Sequence, residues 1–210
     1  MTLVTLVGFG LLAWRLSQGA ANPTYQGSLQ WTDEEFLWAG GSDEQIILPT
    51  DTLFYKAPYR LKNAPFTLEV SAQINQTADP FTAWGIALSA NNGTWTMIGI
   101  NGAGYVTARQ CPQAIIPRLD SCPPLTEPTQ QILTYWKPFR FIHRRGATNT
   151  IRLDFSATQN VLILRLNREW MWDLPYIPAD QAVLWGVWIQ GGPDSLSGVT
   201  WDKTQVWSNK

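Results

Sequence analysis

His143 is the only histidine of the chain, which excludes a metal site built on several histidines. It alternates with Phe139 and Phe141, and so reads as a packed or rim residue of a strand rather than a catalytic base. The carboxylates offer no better constellation. Asp33, Glu34 and Glu35 are adjacent and point different ways, while Asp154, Glu169, Asp173 and Asp202 are scattered on or beside strands. Glycoside hydrolysis needs two carboxyl groups held at a set separation, and no spacing here pairs two of them. Asp194 beside Gly191-Gly192-Pro193 is one carboxylate in an ordinary turn, too little for a cation. Phosphate loops, dinucleotide fingerprints and haem-attachment motifs are absent. The sequence therefore assigns no catalytic residue, no metal and no cofactor.

Aromatic and sulfur chemistry is more promising. The chain holds 12 tryptophans, four of which (Trp84, Trp95, Trp185, Trp188) are interleaved with apolar strand residues. Trp185 and Trp188 are an odd number of positions apart and face opposite sides of a strand, so some rings must lie off the core. Trp170-Met171-Trp172 follows the Leu166-Asn167 turn, where a loop would carry both rings outward. Exposed indoles stack on sugar rings or anchor protein contacts, which makes Trp170, Trp172, Trp185 and Trp188 the candidate binding residues. The alternative is that a sandwich of this size uses them as core filler. Cys111 and Cys122 have neither CxxC spacing nor a nearby histidine, and a disulfide between them would contribute about 3 kcal/mol. Such a bond places the domain outside the cytoplasm, and two unlinked thiols are the alternative. Asn75-Gln76-Thr77 and Asn92-Gly93-Thr94 are glycosylation acceptors in a host that uses them.

The elements that must position these residues are strands. In 210 residues, 45% are hydrophobic and 15% charged, which excludes a disordered chain. A net charge of −1 argues against a nucleic-acid partner, since phosphate binding needs a clustered excess of Lys and Arg. Period-2 alternation marks Phe66–Ile74, Trp84–Leu88, Trp95–Ile100, Tyr105–Arg109, Phe139–His143, Ile151–Phe155, Val161–Leu166 and Val199–Trp207. Ala182–Gln190 is apolar throughout, as a central strand should be, and weaker strands fall at Gln45–Leu48 and Leu53–Lys56. These strands predict an all-β antiparallel jelly-roll sandwich over residues 45–210, after an aromatic connector at 22–44.

Two segments stand apart. Residues 1–16 are apolar up to Arg15, about 24 Å as a helix, against a bilayer core of about 30 Å. Residues 1–21 thus predict one N-terminal transmembrane helix that anchors the chain, or a signal helix cleaved near Gly19-Ala20-Ala21. Residues 111–138 form a proline-rich insert carrying the cysteine pair, a rigid protrusion suited to contact with another protein.

The order of "FTLEVSAQI", "WGIALSA", "TWTMIGING", "GYVTARQ", "FRFIHRRGATNTIRLDFSATQNVLILRLN", "AVLWGVWIQGG" and "VTWDKTQVW" resembles the concanavalin A-like lectin/glucanase superfamily. The laminin-G-like and keto-disaccharide-hydrolase-like branches are the nearest in pattern, over about residues 45–207. Asn149 to Leu153 and Leu166-Asn167-Arg168 match the hairpin that usually reads Asn-Gly in that superfamily, with Arg168 replacing the turn glycine. The resemblance implies a strand bearing E-x-D-x-x-E in the superfamily's glucanases, and the comparable strand here offers only Glu69.

The functional expectation is a membrane-anchored, non-catalytic accessory or scaffold subunit of a membrane complex, its sandwich outside the cytoplasm on the periplasmic or extracellular face. It touches the membrane through residues 1–16 and other subunits through its surface. The alternative is a glycan-binding module or degenerate carbohydrate-active enzyme, motivated by the resemblance and the surplus tryptophan.

Overall fold

The computed structural model describes residues 24–34, 38, 44–112, 122–123, 136–179 and 182–209. The expected N-terminal helix at 1–21 and most of the 111–138 insert lie outside them. Among the described residues no helix is long and apolar enough to cross a membrane.

Thirteen strands run through these residues: β1 (Ser28–Asp33), β2 (Gln45–Ile47), β3 (Thr52–Lys56), β4 (Phe66–Ile74), β5 (Ala83–Ser89), β6 (Thr94–Asn101), β7 (Tyr105–Pro112), β8 (Lys137–Pro138), β9 (Thr148–Ser156), β10 (Val161–Leu166), β11 (Glu169–Pro175), β12 (Trp185–Gln190) and β13 (Ser197–Ser208). They pair antiparallel into two sheets, the sandwich that the alternation predicts. A seven-stranded sheet has the order β1-β13-β4-β9-β10-β11, with β2 also on β13. A six-stranded sheet has the order β3-β12-β5-β6-β7-β8.

Alternation explains the core between them. Phe66, Leu68, Val70, Ile151, Leu153, Phe155, Leu162 and Leu164 point inward from one sheet, and Trp84, Ile86, Ile98, Ile100, Trp185 and Val187 from the other. Trp84 packs edge-on against Trp201 at 5.6 Å.

The six-stranded sheet also buries much of its outer face. Ala83, Ala87, Trp95, Met97 and Trp188 form a second apolar cluster there with Cys111 and Cys122. Phe54, Trp136 and Leu184 pack against it. Cys111 and Cys122 form a disulfide, with Cα atoms 4.9 Å apart. Gln110 N donates to Pro123 O, which ties the arm to β7. Trp188 lies flat enough on this face because Gly99 has no side chain; a Cβ there would strike its indole.

Three sequence expectations are corrected. The connector at 22–44 is not separate from the sandwich: β1 pairs with β13, and Trp31 joins Trp38, Tyr59 and Trp185 in one aromatic cluster. Residues 139–147 form turns, not a strand, because Pro138 ends β8 and Ile142 N bonds back to Phe139 O. Residues 169–175 form β11, not an outward loop, paired along β10.

Candidate functional site

The outer face of the seven-stranded sheet is polar, and the ladder registers place its side chains in rows. Gln205, Glu69, Arg152, Arg165 and Trp170 lie opposite one another across β13, β4, β9, β10 and β11. The next row runs Trp207, Thr67, Asp154, Ile163 and Asp173. A third holds Lys203, Ser71 and Thr150. Each row is one pleat of the sheet, so residues distant in sequence meet side by side.

Between these rows lies a groove of about 480 Å³, lined by Tyr25, Glu69, Arg152, Arg165 and Arg168 with His143, Asn167, Thr148 and Thr150. Its floor is an ion-pair network. Arg152 and Asp154 share one face of β9; Arg152 Nε donates to both Asp154 oxygens at 3.0 and 3.1 Å, and Nη2 to Oδ1 at 2.9 Å. Thr67 Oγ1 donates to Asp154 Oδ1 at 2.6 Å, and Arg165 Nε lies 3.5 Å from Oδ2. Asp154 is therefore enclosed and neutralised by guanidinium, which is how a buried charge is tolerated.

The segment before β1 supplies one wall. Thr24 O accepts from Arg152 Nη2, and Gln26 N donates to Thr67 Oγ1. Tyr25 stacks on Trp207 with centroids 3.9 Å apart and carries the Arg152 guanidinium 4.2 Å from its ring. Its hydroxyl reaches Glu69 Oε2 at 3.5 Å. Burial pushes the Glu69 carboxyl above the usual carboxylate range, against the opposing pull of Arg152, the Tyr25 hydroxyl, Lys203 and Arg168. Burial, then Glu69, likewise raises the Tyr25 phenol.

The opposite wall is the two-residue turn from β10 to β11. Asn167 and Arg168 both have left-handed backbone, at φ 52° and 76°. Asn167 suits that geometry and is locked: its Nδ2 donates to Phe141 O and Asn149 Oδ1, and its Oδ1 accepts from Thr150 N. Arg168 does not suit it, since an Asn-Gly pair is the preferred sequence for this turn. The glycine replacement visible in the sequence thus sets an exposed guanidinium at the groove mouth.

The four candidate tryptophans are dispersed, not assembled. Trp170 is 56% exposed, beside Arg165 in its row, with Nε1 donating to Asp173 Oδ1 at 2.9 Å. Trp172, expected on the same side, is buried: a bulge at this point sets Trp170 opposite Arg165 and Trp172 opposite Leu164, on the core side. Trp185 and Trp188 do face opposite sides of β12, yet both are fully buried, one between the sheets and one under the Cys111–Cys122 arm. None of these three presents a surface to a ligand. Sequence reasoning weighed Glu69 and noted Arg168, but missed Tyr25, Arg152, Arg165 and Asn167. The signal available was the run of charges on the polar face of β9 and β10.

No family model matches the sequence, and no curated protein matches it. Solved structures do match in fold. The Crh5 transglycosylase in complex with NAG aligns with a TM-score of 0.57 at 8% identity, over 90% of this chain and 88% of that one. The carbohydrate-binding module CBM66 from Bacillus subtilis aligns at 0.53 and 6%, over 88% and 100%. The Emp46p carbohydrate-recognition domain in its potassium-bound form aligns at 0.52 and 12%, over 76% and 78%. The chain has the concanavalin A-like lectin and glycosidase jelly-roll fold that its strand order resembles.

Proposed function

We propose that this chain is a non-catalytic glycan-binding module that takes its ligand in the groove on the outer face of the seven-stranded sheet. The observation that carries the reading is the groove itself. It is a preformed cleft whose lining combines guanidinium, carboxylate, amide and hydroxyl groups, the donors and acceptors that sugar hydroxyls need. Its position on the face of a jelly roll adds support, because the similar structures are a carbohydrate-recognition domain, a carbohydrate-binding module and a transglycosylase. Fold alone would not argue function; the groove does.

The non-catalytic part rests on the carboxylates. Asp154 is held by Arg152 and Thr67 outside the lining, and Glu69 is the one acid of the lining among the described residues, whereas hydrolysis uses an acid and a second free carboxylate. The Cys111–Cys122 bond supports a place outside the cytoplasm. Docking as a membrane accessory subunit draws on residues 1–21 and the 111–138 insert; the similar structures favour the glycan-binding reading over it.

The test is affinity electrophoresis of the full-length chain, in mild detergent, through gels carrying soluble polysaccharides. Retardation by at least one polysaccharide, relieved by Arg165→Ala with Arg168→Ala, supports the reading. Unretarded migration in neutral, acidic and sulfated polysaccharides alike overturns it.

A further inference from the structure

We infer that the groove selects glycans carrying an oxyanion, a uronate carboxylate or a sulfate ester, over neutral sugars. This deepens the glycan-binding reading and rests on it.

The first observation is what the groove does not offer. Neutral sugars are usually held by stacking a ring face on an aromatic side chain, with hydrogen bonds around the rim. Tyr25 is the aromatic of the groove lining, and both of its faces are taken. Trp207 is stacked on it at 3.9 Å and 15°, which fills one side. The Arg152 guanidinium, 4.2 Å from the ring, must then cover the other. Tyr25 presents its hydroxyl edge and no platform.

The second observation is charge. Three guanidinium groups, Arg152, Arg165 and Arg168, meet in the lining with one carboxylate, Glu69, while Asp154 lies outside the lining. Asp154 is consumed by its pair with Arg152. Arg165 lies 3.5 Å from that carboxylate, and its Nε makes no hydrogen bond. Arg168 is exposed at the mouth. Glu69 is half-buried and shared with Tyr25. The groove lining is therefore locally positive, three guanidinium groups against Glu69 among the described residues, on a chain whose formal net charge is −1.

The third observation is strain. Arg168 occupies a left-handed position at φ 76°, where glycine costs nothing and a side chain costs about 1–2 kcal/mol. Backbone strain clusters at functional sites, and here it holds a guanidinium beside the cleft. A guanidinium fork matches the paired oxygens of a carboxylate or sulfate, with donors no hydroxyl can use as well.

The experiment compares three probes on the full-length chain by isothermal titration. They are an oligogalacturonate, the same oligomer with its carboxyls reduced to alcohols, and a sulfated galactan oligomer. The expected result is that an acidic probe binds at least about tenfold more tightly than the reduced one, as one charge-assisted contact allows. Arg168→Ala should weaken that binding about tenfold, Arg168→Lys less, and salt should weaken wild type more than the variant. Preference for the uronate or for the sulfate would identify the source of the oxyanion, and either supports the inference. Equal affinity for the reduced oligomer would overturn it while leaving glycan binding intact. Tight acidic binding untouched by Arg165→Ala and Arg168→Ala would also overturn it, by moving the site elsewhere. Binding of none of the three would refute both this inference and the proposed function.

Discussion

Replacing Arg168 with glycine should make the protein more stable and its groove less able to bind. Arg168 is exposed at φ 76°, the second residue of a two-residue turn between β10 and β11. Relieving a left-handed non-glycine residue gains about 1–2 kcal/mol, and the extra freedom of glycine in the unfolded chain returns about 0.4–1 kcal/mol of that. The net gain is about 1 kcal/mol. In a domain of this size that raises Tm by about 2–4 °C. Arg168→Ala is the control, because it loses the guanidinium and keeps the backbone strain. Thermal unfolding of the full-length chain, followed by circular dichroism, should rank Arg168→Gly above wild type and Arg168→Ala level with or below it. Both variants should lose binding equally. An Arg168→Gly protein that melts no higher than Arg168→Ala would refute the claim that strain is held at this turn.

Other consequences follow from the same face and its opposite. Glu69 has a raised folded-state pKa because burial disfavours its charge, so its stabilising contribution is present below the unfolded value of about 4.3 and is lost as pH rises through the folded one. Glu69→Gln should therefore gain on wild type between pH 4 and pH 7 in urea midpoint; a loss over that interval would mean that Arg152, Arg168, Lys203 and the Tyr25 hydroxyl outweigh burial. Arg152→Ala leaves the enclosed Asp154 short of its main partner and should cost about 3–5 kcal/mol, whereas Arg152→Met with Asp154→Leu should cost far less. Equal losses in the single and double variants would show that packing, not unpaired charge, sets the cost. Reducing Cys111–Cys122 should remove about 3 kcal/mol and speed hydrogen exchange at Gln110, while groove ligands bind as before; an unaltered exchange rate would mean that the arm is held without the bond.

The sandwich was legible because its strands obey a two-residue period that few other structures share. Phe66–Ile74 alternates cleanly, and every inward residue of that strand is buried as read. Where the reading failed, a local device had broken the period. The bulge in β11 sends Trp172 inward although it stands two residues from Trp170. Trp188 was rightly placed on the far side of β12 from Trp185, but nothing in the spacing could reveal that Cys122 and Trp136 would cover it. The groove was harder still. It is assembled from β4, β9, β10 and the segment before β1, and only the ladder registers bring Glu69, Arg152 and Arg165 into one row. Tyr25 reads as one aromatic in a polar connector until β1 pairs with the final strand and draws it across the sheet. Arg168 alone announced itself, as the wrong residue for its turn.

The central claim is that ligand sits on the outer face of the seven-stranded sheet. An oligogalacturonate or sulfated oligomer bearing a photoreactive diazirine at its reducing end would mark its own site on the full-length chain. The account predicts labelled peptides from residues 148–170 and 24–34, with labelling competed away by the unmodified oligomer. Competed labelling confined to residues 52–56 or 94–112, on the six-stranded sheet, would contradict it.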